Sequence, residues 1–274
     1  MGFVLSTLIF LIFAAVLLVV SQDVQVFPAA LMSLHRRPVR DPKTLPTEIE
    51  STFITTLDGK KLEVWRLAAD DAEAKPYVGI VFHGNGGSLE AFLLTQLWFQ
   101  ELGITSYGFD YRGFGRSTGW PNEAGVYRDC DAVYKYVTER ESVSPAELVV
   151  LGISVGGPFA ARIAGLHKPK LLILVSTFSS IQHLVRQLPL IRHFRRLCWY
   201  KLPTIEYVGE LDDTNLLLLH GERDRTISST HSIALQQAYR GTGKVKLLLS
   251  PHADHNNVFY LERRRLGEET LDLL

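Results

Sequence analysis

The chain has 274 residues in which 29 Lys and Arg balance 29 Asp and Glu, and this zero formal charge argues against a nucleic-acid partner. Only 2 cysteines are present, too few for a disulfide framework, and no Asn-x-Ser/Thr sequon occurs; both features suit a reducing compartment. Without internal repeats or low-complexity tracts, the length suits one α/β domain behind an N-terminal targeting segment.

Phe3 to Val20 run without a charge or a proline and reach the roughly 18-residue minimum for a helix that spans a bilayer. Residues 1–22 are therefore expected to be a single N-terminal transmembrane anchor. A cleaved signal peptide would need a positive n-region and a small-x-small site, whereas only Met1 and Gly2 precede the run and Ser21-Gln22-Asp23 follows it. Met1 to Ser6 formally fit the myristoylation pattern, but a bulky apolar run at that place reads better as a span. The nearest cations, Arg36, Arg37, Arg40 and Lys43, all lie on the C-terminal side, which predicts that the domain following the anchor is cytoplasmic. Residues 23–47, punctuated by Pro28, Pro38, Pro42 and Pro46, read as a linker. Within it Val26-Phe27 and residues 29–34 are apolar enough to lie along a membrane surface.

From residue 48 the elements alternate. Two antiparallel strands are predicted around 48–55 and 61–66, joined at Asp58-Gly59. Strands near 77–83, 104–110, 147–153, 171–176, 215–220 and 245–250 then alternate with helices near 88–102, 123–139, 155–166, 229–239 and 258–272. This pattern makes residues 48–274 one α/β domain with a mostly parallel eight-stranded sheet flanked by helices. Residues 177–214 separate two of the strands. The stretch from Arg186 to Lys201 mixes cations with aromatic and aliphatic groups; it reads either as a solvated helix face or as a basic-aromatic patch resting on anionic lipid.

Candidate chemistry sits just past the carboxyl ends of these strands, where irregular loops are free to form. His83-Gly84-Asn85-Gly86-Gly87 follows the third strand and is a candidate oxyanion loop, with Ser88 as N-cap of the next helix. Gly152-Ile153-Ser154-Val155-Gly156 stands between an apolar strand and a helix, the context of a nucleophile elbow. A serine hydroxyl needs an imidazole to take its proton and a carboxylate to orient that imidazole, in the chain order Ser, Asp, His. Asp224, in the turn after Leu216–Leu219, is the acid candidate, and either His252 or His255 is the base. Glu222 and Asp254 are rival carboxylates, each better suited to solvating the rim. His83 and His220 read as structural, and neither the remaining histidines nor Cys130 and Cys198 have metal-ligand spacing, so no metal is expected.

Together with Asp110-Tyr111-Arg112-Gly113-Phe114-Gly115-Arg116-Ser117 and the terminal His255-Asn256-Asn257, these motifs resemble the alpha/beta-hydrolase superfamily. Within it they look like compact membrane-anchored serine hydrolases that include acyl-protein thioesterases and lysophospholipases. The resemblance implies Ser154 as nucleophile, Asp224 as acid, His255 as base, and the backbone N–H groups of Asn85 and Val155 as the oxyanion hole, with a small cap at residues 177–214. It implies hydrolysis of esters or thioesters of acyl chains without a cofactor, with the acyl substrate, possibly lipid-borne, and the membrane as partners. A peptidase or amidase of the same fold, or a catalytically quiet scaffold, remains the alternative.

Overall fold

The structure, a computed structural model, describes residues 6–7, 21–28, 42–45, 47–70, 72–187 and 197–274. Its strands are β1 (Glu50–Thr55), β2 (Lys61–Leu67), β3 (Val78–Phe82), β4 (Thr105–Phe109), β5 (Leu148–Ile153), β6 (Leu171–Val175), β7 (Asn215–Gly221) and β8 (Val245–Ser250). They form one sheet in the order β1-β2-β4-β3-β5-β6-β7-β8. The β1–β2 and β2–β4 pairs are antiparallel and every later pair is parallel. This is an alpha/beta-hydrolase fold with the mostly parallel eight-stranded sheet expected from the alternation.

The helices are α1 (Gln22–Val26), α2 (Leu93–Glu101), α3 (Glu123–Glu141), α4 (Gly156–His167), α5 (Ile181–Gln187), α6 (Thr204–Gly209), α7 (Thr230–Ala238) and α8 (Val258–Leu273). Because helices cover both faces, every residue of β3 and β6 is buried, whereas the edge strand β1 alternates between half-buried and exposed. The period of two sends Leu148 and Val150 of β5 into one core layer and Val149 and Leu151 into the other.

Three details differ from the sequence reading. The helix expected from Ser88 starts instead with a 3-10 turn, Leu89–Phe92. Ser88 does not cap it; the Leu89 N–H is taken by the Asp110 carboxylate at 2.8 Å, a long-range partner that no local motif announces. The larger difference lies in the linker. Phe27 does not lie along a membrane surface: it is wholly buried, stacked on Phe159 and packed edge-on against Phe114 and Tyr200, while the half-buried Val26 lines a cavity. An aromatic ring gains more from this enclosed aromatic site than from a half-wet interface. Side-chain hydrogen bonds hold the same segment: Gln22 donates to Leu197 O (2.8 Å) and accepts from Trp199 N (3.1 Å), while the Tyr200 hydroxyl donates to Asp23 (2.5 Å).

The cap contributes α5 and α6; residues 188–196, the centre of its basic-aromatic stretch, lie outside the described residues. So does most of the expected anchor: of residues 1–22 only Ser6, Thr7, Ser21 and Gln22 are described. Among the described residues no helix is long and apolar enough to cross a membrane.

Phe27→Ala is expected to cost about 3 kcal/mol, the usual loss for a buried phenyl ring. Leu57→Ala, at a fully exposed turn position, should cost less than about 0.5 kcal/mol. Urea denaturation of the two variants measures the difference; equal midpoints would place Phe27 outside the core.

Candidate active site

Ser154 is held by its backbone before any side chain is considered. Its φ of 52° lies in the left-handed region, which costs a non-glycine residue about 1 kcal/mol or more. Ser154 N donates to Val175 O (2.9 Å), and its carbonyl accepts from Thr177 Oγ1 (2.7 Å) and Gly157 N (3.0 Å), so the turn is fixed on both sides. The flanking glycines are steric necessities. A Cβ on Gly152 would lie 2.7 Å from the Ala160 methyl, and one on Gly156 would collide with the Phe82 carbonyl. Thus α4 starts flush against β3 and β5, with Ser154 at its N-terminal end, where the helix dipole favours developing negative charge.

His255 reaches both partners. Its Nε2 lies 3.2 Å from Ser154 Oγ and its Nδ1 2.7 Å from Asp224 Oδ2, so Nδ1–H donates to the carboxylate and Nε2 is left to accept from the hydroxyl. Asp224 is saturated: Oδ1 accepts from Thr226 N and Ile227 N, both at 2.8 Å, and Oδ2 also lies 3.3 Å from His220 Nε2. Burial works against its charge, but the hydrogen bonds from His220, His255 and Ile227 prevail and hold the carboxyl well below the usual range. Asp224 therefore stays ionised throughout the range in which a histidine titrates.

The rival residues lie elsewhere. His252 is exposed and its Nδ1 sits 3.3 Å from Arg223 Nη2, while the Asp254 carboxylate accepts from Asn256 N (2.9 Å) and Asn257 N (3.1 Å) as a turn cap. Glu222 is exposed. His220, read as structural, does more than fill space. Ile227 O can only accept, so the 2.8 Å contact puts the proton on Nε2, and Nδ1 accepts from Ser232 Oγ at 2.7 Å. That ring pins the acid turn from below, a role visible only once β7 and α7 are packed.

The loop 83–89 is supported from beneath by the Asp110–Ser117 motif, whose role sequence reasoning left open. Tyr111 donates to His83 O (3.1 Å), His83 Nδ1–H donates to Gly84 O (2.8 Å), and Asp110 takes the Leu89 N–H. Burial pushes the Asp110 carboxyl well above its ordinary range, only partly offset by that N–H. The Asn85 side chain donates to Val26 O of the N-terminal segment. The main-chain N–H groups of Asn85 and Val155 donate no hydrogen bond among the described residues, so both are free to donate to a bound group.

Ser154 and His255 open onto a cavity of about 830 Å3 lined by Phe92, Phe178, Leu184, Val185, Ile227 and Phe259, with Gln22, Gln25 and Val26 forming part of its wall. Among the described residues no group of three or more His, Cys, Asp or Glu is placed to hold a metal ion.

A family model described as serine aminopeptidase, S33, matches residues 74–214, just over half of the chain. The chain belongs to this family of alpha/beta-hydrolases. The hydrolase is 30% identical over 219 residues to the Escherichia coli K12 protein named "Uncharacterized protein YfhR", covering 78% of this chain and 76% of that one. It is 27% identical over 227 residues to the Saccharomyces cerevisiae protein named "Uncharacterized membrane protein YNL320W", covering 81% and 78% of the two chains. In fold it is similar to the Pyrococcus furiosus esterase Pf2001, with a TM-score of 0.68 at 19% identity over 86% of this chain and 93% of that one.

Two buried histidines near the site make its stability acid-sensitive. Burial lowers His83 to about 4, against the Gly84 hydrogen bond, and lowers His231, which accepts from Ser179 N, to about 4. Both stay neutral in the folded protein while the unfolded chain protonates at about 6.5, so stability is full above that pH and falls as pH drops toward 4. The buried Asp110 carboxyl acts in the opposite sense but is common to both chains, so the urea midpoint of His231→Gln should lose less between neutral pH and pH 5 than that of the unmutated chain. An equal loss would mean that His231 is charged in the folded state.

Proposed function

We propose that this hydrolase cleaves carboxylic esters or thioesters of acyl chains through an acyl-enzyme on Ser154. The observation that carries the reading is His255 bridging Ser154 Oγ and the ionised Asp224 at the mouth of an apolar cavity. His255 Nε2 takes the hydroxyl proton as Oγ forms a bond to the carbonyl carbon, and the developing oxyanion is met by the N–H groups of Asn85 and Val155. When the bond to the leaving oxygen or sulfur breaks, His255 returns the proton to it. Water, deprotonated by the same nitrogen, then releases the acid and restores Ser154. Asp224 stabilises the imidazolium through Nδ1 and stays ionised throughout. Every proton moved in these steps comes from Ser154 or water and passes through His255, so the reaction as proposed calls for no cofactor.

The family description favours a second reading, cleavage of amides from a free N-terminus. Among the described residues, however, the cavity wall carries no Asp or Glu to receive an α-ammonium group, which supports the acyl substrate instead.

We also propose that residues 1–22 anchor the hydrolase in a membrane with its catalytic domain in the cytoplasm. The chain leaving that apolar run forms part of the cavity wall at Gln22, and exposed Leu94 and Tyr260 line the same cavity. Exposed Leu197 and Trp199 flank Gln22. This arrangement suits a lipid-borne acyl chain entering from the bilayer side.

Ser154→Ala should abolish both labelling by a fluorophosphonate probe and turnover of p-nitrophenyl butyrate, with the fold intact by circular dichroism; activity near the unmutated level would refute the nucleophile, and a chain the probe never labels would be a quiet scaffold. His255→Ala and Asp224→Asn should each reduce turnover by orders of magnitude, whereas His252→Ala and Asp254→Asn should retain at least about a tenth of it. The full chain should stay in the membrane pellet after a carbonate wash, and release by that wash would exclude the span.

A further inference from the structure

A second groove opens on the far side of His255. It encloses about 450 Å3 and is lined by Arg223, Arg225 and His252, with Asp254, and meets the apolar cavity at Thr226, His255 and Asn256. The acid turn creates it. Because Thr226 N and Ile227 N turn the Asp224 carboxylate inward, its neighbours on either side, Arg223 and Arg225, emerge exposed. Neither arginine has an ion-pair partner among the described residues. Arg223 donates to His252 Nδ1 at 3.3 Å, which leaves the His252 Nε2–H free as a further donor. Among the described residues Asp254 is the one carboxylate in the lining, and its Oδ1 accepts from two backbone N–H groups, so two arginines face one aspartate.

Its place follows from the proton path. In the acyl-enzyme reading, on which this inference rests, His255 Nε2 protonates the leaving oxygen or sulfur, so the leaving group lies against His255 while the acyl chain lies beyond Ser154 in the apolar cavity. The groove borders His255 and not Ser154. We infer that Arg223, Arg225 and His252 form an anion subsite for the leaving group, and that the preferred substrate joins an acyl chain to a phosphate-bearing alcohol or thiol. Guanidinium groups suit phosphate because their paired N–H donors match its oxygens. Two sources share this chemistry, a glycerophosphate lipid headgroup and a soluble phosphorylated thiol carrier.

The test compares matched substrates: a monoacylglycerol against the same acyl chain on glycerol 3-phosphate, and an acyl N-acetylcysteamine thioester against the corresponding acyl-coenzyme A. The ratio of kcat/KM, phosphate-bearing over neutral, should exceed one in at least one pair and should fall with added salt. R223A/R225A should lower that ratio about tenfold, mainly through KM, R223E/R225E should lower it further, and R223K/R225K should keep most of it. Preference confined to the glycerol pair identifies a lipid headgroup; preference confined to the thioester pair identifies a soluble carrier. A ratio near one in both pairs, or one indifferent to the arginine substitutions, overturns the subsite. Equilibrium binding of the two glycerolipids to Ser154→Ala reads the same preference without turnover, so loss of the acyl-enzyme reading and loss of the subsite are separable outcomes.

Discussion

The site depends on one backbone constraint, the left-handed turn at Ser154. A strand buried through Gly152 and a helix that begins at Gly156 leave no room for a Cβ at either glycine, because β5, β3 and α4 meet at van der Waals distance there. That closeness sets the serine at the tip of the turn, aims it away from the sheet, and lets Val155 carry its N–H beside it. The strain at Ser154 is held by the hydrogen bonds to Val175 and Thr177 on β6 and the residues after it, so the adjoining strand end is part of the turn.

From that turn outward, the groups that would do chemistry are each held by a second layer that does none. Asp224 is fixed by two backbone N–H groups and by His220, which α7 orients through Ser232. The loop carrying Asn85 rests on Tyr111, His83 and Asp110, three buried groups that bond to its main chain rather than to any ligand. Each link is a directional hydrogen bond in a dry setting, where an unmade bond costs more than a made one contributes, so the layer behaves as a unit.

The N-terminal segment joins the same network. Phe27 fills an aromatic pocket beneath the cavity, and Val26 O takes the Asn85 amide, so a stretch whose composition suits a linker is part of the site's wall. This couples the entrance of the cavity to the chain that leads out of the apolar run. On the opposite side, exposed arginines beside Asp224 give the cleft a charge polarity that its neutral overall composition hides.

The sequence alone determined the strand order in the chain, the alternation of buried strands and helices, and two of the side chains that meet at the cleft, Ser154 and Asp224. These are local signals: apolar runs of strand length, glycines flanking a serine, and polar residues placed just past strand ends. It could not choose between His252 and His255 from spacing, since both follow β8 in one short turn; only the three-dimensional path of that turn brings His255 to Ser154 and Asp224 and turns His252 toward Arg223. Tertiary structure likewise decided that Asp110 rather than Ser88 takes the Leu89 N–H, that His220 supports the acid, and that Phe27 belongs to the core. Most of these contacts join residues far apart in the chain, and even His220, only four residues before Asp224, is oriented through Ser232 of α7; such pairings depend on how the elements pack, which no local pattern of residues encodes.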